Sequence, residues 1–597
     1  MRIAYCVLRA ALPTFSHLPG KIFMLLRFAC WHRVALSLIL SFVAAAQAQT
    51  APGATAARQA DILQRQNQER IQRDIESALP AERAPGGAEV VVPATPVGAI
   101  ADGKVCHDID QVVILNAPNL PTSIQDGIAA AYGGRCLGAQ QMEQILAEVT
   151  KSYIDRGYVT TRAYLPTQNL ASRSLQVLVI EGQVERVVLD DGALQSIHAP
   201  GAFPPAGALL NLRDFEQGID QVNRLASNNA RLELRPGSKP GDTEVLIRNT
   251  PSRPYHAWMS ADNHGPDSTG RNQLALAFTA DRLLGLNELL LVTHRRSQPN
   301  DESRRASVAN SLSMVIPFGY ATASFSTSRS HYVSSVTTPG GATLRFNGTG
   351  RSDSMRIERV LYRDSDSRWT LAGSLTSKDT NNYLADEFLA VSSRKLTVLD
   401  IDAGVSAAVR GGVLTASLGY ARGLRLGGAL RDPSNLPDAA PHAQFGKVRL
   451  GLSYLKPFQI HGLNAQFSTQ SSVQRAQHVL HGSEQILIGG IYSVRGFRDS
   501  TLSGDHGWIS RNELSVYPTL PLGTMTLPLR LYAAIDAGGV NDRHSGLPQG
   551  RLAGAALGVS VSWKGTTIDL FHARPLSQPD SLRRESTQTW LQISHAI

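Results

Sequence analysis

From residue 254 to residue 597 the chain alternates apolar with polar or small residues at every second position, and no other feature limits its fold as tightly. Side chains of a strand point by turns to its two faces, so a sustained period of two demands sheet with one apolar face. QLALAF at 273–278 sets Leu274, Leu276 and Phe278 against Gln273, Ala275 and Ala277. KVRLGLSY at 447–454 sets Val448, Leu450, Leu452 and Tyr454 against Lys447, Arg449 and Ser453. The pattern recurs in VLTASLGY at 413–420, LNAQF at 463–467 and ALGVSVSW at 556–563. A soluble β-sandwich would alternate too. About sixteen such segments, apolar on one face and small or charged on the other, fit a lipid-embedded antiparallel β-barrel better. No run of 18 apolar residues occurs beyond the first fifty positions, which argues against spanning helices there.

Ahead of the barrel the periodicity changes. RQADILQRQNQERIQRDIESAL, residues 58–79 within a helical segment placed at 55–80, has no Gly or Pro and reads as a helix. Ile71, Ile75 and Leu79 share one face, while Gln and Arg cover almost everything else, so burial in an apolar core cannot hold it. Its length, roughly 33 Å at about 1.5 Å per residue, matches a membrane. That suits a polar rod in a water-filled pore, with a solvated segment as the competing reading. Residues 81–103 mix Pro, Gly and Ala and read as an extended linker.

Two small α/β units follow, at 104–182 and 183–250. The first shows a strand at 112–115, helices at 123–131 and 139–155, and strands at 158–164 and 175–180. The second has a helix capped by Asn211, with Asp214 three residues on and Phe215, Ile219, Val222 and Leu225 on its buried side. ARLEL and TEVLI close it around a turn at Pro236–Gly237. Both are expected to share one strand-helix-helix-strand-strand plan.

Residues 1–48 read as a secretory signal peptide: basic positions up to Arg33, an apolar Val34–Ala44 stretch and a small-residue site at Ala46-Gln47-Ala48, with Met24 as an alternative start. Five basic and no acidic residues lie there, leaving only about +4 of the formal +9 for the rest, so the charge gives little support for a nucleic-acid partner. Cys6 and Cys30 depart with the leader. Cys106 and Cys136 remain as a pair in an exported chain, which points to one disulfide, with two free thiols as the alternative.

Chemistry-bearing motifs are missing. The sequence holds no HExxH, no Walker A loop and no GxSxG, and its histidines lack metal-ligand spacing, so no catalytic residues, cofactor or metal are expected. Asp569 and His572 read as a lumen residue and its neighbour. Three long stretches carry a resemblance instead: residues 134–187, DNHGPDSTGRNQ at 262–273 and SVRGFRDSTLSGDHGWISRNEL at 493–514. In order, they resemble the first POTRA domain, the barrel entry and the signature loop of the two-partner secretion transporters, the haemolysin and filamentous-haemagglutinin secretion family.

That resemblance implies an outer-membrane protein with a plug helix, two periplasmic POTRA domains and a sixteen-stranded barrel. Such proteins pass one large unfolded exoprotein, bearing an N-terminal secretion domain, to the cell surface without ATP. The partners implied are this exoprotein, recognised by the POTRA domains, outer-membrane lipid and periplasmic chaperones. A barrel-protein insertase and a passive porin are the alternatives. The resemblance also implies that a loop at about 473–506, bearing Val494-Arg495-Gly496-Phe497, folds into the lumen. In RLYAAIDAGG the outward Leu531, Ala533 and Ile535 turn Asp536 inward, where a carboxylate can take Arg495 by a forked contact. Gly496 would permit a tight backbone, Phe497 would pack the tip, and Gly538 completes the wall motif. An exposed surface arginine is the bland alternative. Two departures from the family pattern stand out: Ala534 occupies the aromatic position of the wall motif, and Ile597 replaces a terminal aromatic.

Overall fold

In a computed structural model the residues described are 52–78, 90–91, 105–192, 196–337, 343–523, 525–543 and 549–597. The leader, Met24, Cys6, Cys30 and all of the linker except Val90–Val91 lie outside them. The chain divides into compact units Met1–Gln59 and Ala60–Ile597, and every contact below belongs to the second.

Alternation has its expected result. Sixteen antiparallel strands, from Tyr255–Asp262 to Gln588–Ala596, close into a barrel, with two short pieces at Glu387–Phe388 and Thr519–Leu522 lying alongside it. Closure rests on five pairings between Trp258–Asp262 and Gln592–Ala596, and Ile597 donates its backbone N–H to Ala257. The apolar positions of each repeat point out: Leu276, Leu450, Ile535 and Leu557 are 54, 49, 61 and 68% exposed. A membrane, not a protein core, must cover them. Inward positions such as Lys447, Asp536 and Arg295 are buried by what fills the lumen.

What fills it is residues 60–78 of the helix Pro52–Ala78, together with the long loop that follows strand Leu463–Ala476. The helix is held by charge. Asp61 meets Arg394, and Asp74 accepts two bonds of 2.8 Å from Arg295, which also reaches Asp262 at 2.7 Å. Its buried residues include Gln64, Asn67 and Arg70 as well as Leu63 and Ile71, so the stripe through Ile71 is only part of what the lumen covers. Leu79 falls outside the described residues.

The first α/β unit holds its strands Gln111–Leu115, Ser174–Ile180 and Arg162–Tyr164 in one sheet, under helices Thr122–Tyr132 and Ala139–Ile154. Residues 158–161, expected as strand, form turns. Cys106 and Cys136 are bonded, Cα atoms 5.4 Å apart, across the antiparallel pair of Cys106–Ile109 with Arg135–Gly138. Closing a 30-residue separation is worth about 3 to 4 kcal/mol in the chain-entropy account. A Cys106→Ser, Cys136→Ser double variant should therefore lose about that much stability in this unit, read by urea unfolding of the full chain, while the barrel keeps its heat-modifiable mobility. An unchanged first transition would contradict this.

The second unit departs from a strict repeat. Asn211 caps helix Leu212–Val222 by accepting from the N–H of Arg213, and Phe215, Ile219 and Val222 are fully buried as the periodicity requires. The plan's other helix has no α-helical counterpart among the described residues, which hold only a 3-10 turn at Ala199–Gly201 between strand Gln183–Asp190 and Asn211. Its sheet gains an outside strand: Val90–Val91 of the linker pair in parallel with Leu232–Glu233 at the edge of Ala230–Pro236. The unit docks on the barrel end nearest Tyr255. Arg363 is almost fully buried there, 2.7 Å from Asp220 and 3.0 Å from Gln217, and Tyr320 donates to Asp214 at 2.6 Å.

Candidate functional site

Strand Leu463–Ala476 runs further than the sequence suggests, so the loop proper occupies residues 477–505 before strand His506–Val516. It folds inward as a short hairpin, Ile486–Ile488 against Leu502–Gly504, which supplies the backbone pairing a buried loop needs. The four-residue motif sits at its tip. Val494 and Phe497 are 0% exposed and pack with Ile486, Ile488, Leu502, Val540 and Leu552.

Arg495 and Asp536 are brought together. Arg495 donates from Nε to Asp536 Oδ2 at 2.6 Å and from Nη2 to Oδ1 at 2.8 Å, and its backbone N–H adds 3.0 Å to Oδ2. Its remaining Nη1 donates to Glu513 at 2.8 Å, and Glu513 is also bonded by Arg530. Both sides of the main pair are nearly water-free, with side chains 6 and 1% exposed. A buried ion pair is tolerable only when its hydrogen-bonding capacity is filled, and here two carboxylates and a backbone donor fill it.

The glycines serve close approach. Gly496 has φ of +105°, and a Cβ there would sit 2.7 Å from the Arg574 backbone. At Gly538 a Cβ would press on Ile488 and Val494 at 3.1 and 3.3 Å, so its absence makes the shallow seat for the tip. Ala534, where the family pattern has an aromatic, lies in a cluster with Tyr532, Phe571 and Trp590, and the last two stack at 6.0 Å. Tyr532 of the same strand and two rings from strands Thr566–Ser577 and Gln588–Ala596 thus supply the aromatic surface that position 534 lacks.

Four anchoring residues escaped the sequence reading. Glu513 could have been found, since outward Trp508 and Leu514 in WISRNEL turn it inward by the parity that places Asp536. Arg498 lies 3.9 Å over the Trp590 ring and donates to the carbonyls of Asn263 and Gly265, tying the loop to both strands of the barrel seam. Glu585 accepts from the N–H groups of Arg498, Asp499 and Ser500. Glu484, 2% exposed, reaches Lys378 at 2.5 Å and Lys447 at 2.9 Å, while Arg65 of the helix donates to the neighbouring Ser483 carbonyl. Those three have no local signal. Asp569 and His572 do not converge: Asp569 accepts from Tyr532, whereas His572 bonds Thr589 on the opposite face.

The family model described as haemolysin secretion/activation protein ShlB/FhaC/HecB matches residues 241–561. A ShlB-type POTRA domain matches 107–182 and a further POTRA domain 183–236. The outer membrane transporter CdiB of Escherichia coli is 31% identical over 567 residues, 94% of this chain and 92% of that one. The hemolysin transporter protein ShlB of Serratia marcescens is 29% identical over 437 residues, 73% of this chain and 76% of that one. The solved structure of CdiB from Escherichia coli superposes with a TM-score of 0.80 at 29% identity, covering 91% of this chain and 99% of the other. CdiB from Acinetobacter baumannii, at 20% identity and a TM-score of 0.74 over 91% of this chain and 99% of the other, shares the fold.

Proposed function

This chain belongs to the haemolysin secretion/activation family, an outer-membrane translocator of two-partner secretion with its POTRA domains in the periplasm, and we propose how it receives and passes its exoprotein. The cargo is one large secreted protein of haemolysin or adhesin type. POTRA 1 comprises 104–182, POTRA 2 183–250 and the barrel 254–597. The N-terminal segment of the cargo binds the POTRA domains as an added strand. One observation supports this most directly: the edge strand Ala230–Pro236 already holds an extended segment, Val90–Val91, by backbone pairing. Most of that edge is left over for a second strand, and the linker pair must yield if the cargo takes the whole row.

Passage then requires the helix to leave the lumen and the loop to stay docked on Asp536. No nucleotide is consumed; folding outside keeps the exported chain from returning. The expected result is transport of an exoprotein with its secretion domain into proteoliposomes bearing this protein alone, without ATP. A strict requirement for added nucleotide would overturn the energetics. For the docking edge, a photo-crosslinking residue in place of Glu233 should capture the N-terminal segment of stalled cargo. Capture from the barrel exterior and none from Glu233 would count against strand addition.

A further inference from the structure

We propose that the outer wall of the barrel carries a site for the phosphorylated glycolipid headgroup of the outer leaflet, centred on Arg329 and Arg351. Parity puts both outside. On strand Ala321–Thr337 Phe325 is 43% exposed and Ser330 buried, and on Thr343–Arg363 Met355 is 57% exposed, so Arg329 and Arg351 share their lipid-facing sides. They lie directly opposite each other in the ladder, and the same row continues through Asn310 on one side and Asp379 and Lys395 on the other.

Their height places them at the membrane boundary. Two same-face steps nearer the POTRA end the row reads Met314, Phe325, Met355, Leu375 and Leu399, all apolar. Arg329 lies well beyond Ala321, where the strand leaves its turn at the POTRA end. That is about 27 Å along the strand and about 20 Å along the barrel axis at the usual tilt, close to the outer edge of an apolar band about 25 Å tall. POTRA 2 docks at the opposite end, against Gly319 and Arg363, so the arginines face the outer leaflet.

The chemistry asks for an anion. Like charges directly opposite on a ladder repel. Arg351 has one ion pair among the described residues, Asp353 at 2.8 Å from its Nε, yet its side chain stays 55% exposed. Arg329 is exposed and has no ion pair among the described residues. Asp379 lies across from Arg351, so the cluster is not uniformly basic; Arg329, Arg351 and Lys395 still exceed the two acids by one charge. Around the pair lies a depression of about 380 Å³, where Asn310, Thr349 and Asn381 add neutral hydrogen-bonding groups beside Asp379 and His331, the latter 3.8 Å from Glu302. Guanidinium forks match phosphate oxygens, and neutral amide and hydroxyl groups match a sugar. A basic cluster bordering an apolar wall is therefore built for a lipid headgroup whose acyl chains lie on Phe325 and Met355.

The test uses the purified full-length protein in neutral detergent, with bisphosphorylated lipid A, dephosphorylated lipid A and inorganic phosphate as separate probes in native mass spectrometry. Bisphosphorylated lipid A should bind at least about tenfold more tightly than the dephosphorylated form, and an Arg329→Glu, Arg351→Glu variant should lose that preference. Arg359→Gln, on the same wall at the other leaflet, should keep it. Equal binding of the two lipids by the wild type, or undiminished preference in the double variant, overturns the proposal. Inorganic phosphate binding as tightly as lipid A would overturn the lipid source and leave a simple anion site. Should the double glutamate variant fail to assemble, Arg329→Lys with Arg351→Lys serves in its place: it keeps the charge without the fork and should bind more weakly than wild type, and unaltered affinity there counts against the forked contact.

Discussion

Cells carrying Arg495→Ala or Asp536→Ala should release no exoprotein into the medium while holding normal amounts of heat-modifiable barrel in the outer membrane. The reason is the water-free setting of the pair. Removing either partner strands a charge beside Glu513, Arg530 and Arg511, at a cost of about 3 to 5 kcal/mol, so the docked tip becomes roughly a hundred- to several-thousand-fold rarer. The barrel ladders do not depend on that contact, since the strands carrying Glu513 and Asp536 pair through eleven register positions of their own. Arg495→Lys should restore little, because one ammonium cannot satisfy the two Asp536 oxygens and Glu513 together. Glu513→Ala should be milder, as it leaves the Asp536 fork intact. Normal secretion by Arg495→Ala at normal barrel level would falsify the role.

Deleting residues 51–80 should raise single-channel conductance in planar bilayers several-fold while secretion stays largely intact, because the helix occupies the lumen yet is anchored mainly by two charged contacts. Buried polar residues give it little apolar attachment, so Asp61→Ala with Asp74→Ala should produce frequent open events in an otherwise full-length protein. Each change frees an arginine of the wall, Arg394 or Arg295, and both already have a second partner, His481 and Asp262, to hold them in place. Loosening of the helix is thus expected without collapse of the wall. Conductance equal to wild type in the deletion variant would mean that the helix does not limit the pore.

Much of this architecture follows from local pattern. A period of two fixes which face each residue takes, and that sufficed for the barrel, its orientation toward lipid, and the inward turn of Asp536 on a strand whose Leu531 and Ile535 point outward. Asn211 and the spacing of Phe215, Ile219 and Val222 specified a capped helix and its buried side in the same way. The segment Ala199–Gly201 shows the limit, since a shared plan implies a second helix in this unit, no periodic stretch specifies one, and the described residues form a single 3-10 turn there.

Only the closed structure decided the rest. Asp61 finds Arg394, Asp74 finds Arg295 and Glu484 finds Lys378 across separations of 333, 221 and 106 residues. Val90–Val91 takes an edge that its own composition does not name. Arg498 stitches the first strand to the last through Trp590 and two carbonyls. Periodicity tells a charged side chain which way to point but not what will be there. The partner is set by the curvature and register of the whole barrel and by the low dielectric of a lumen already filled, where an unpaired charge is too costly to leave and the fold must bring one of opposite sign to meet it.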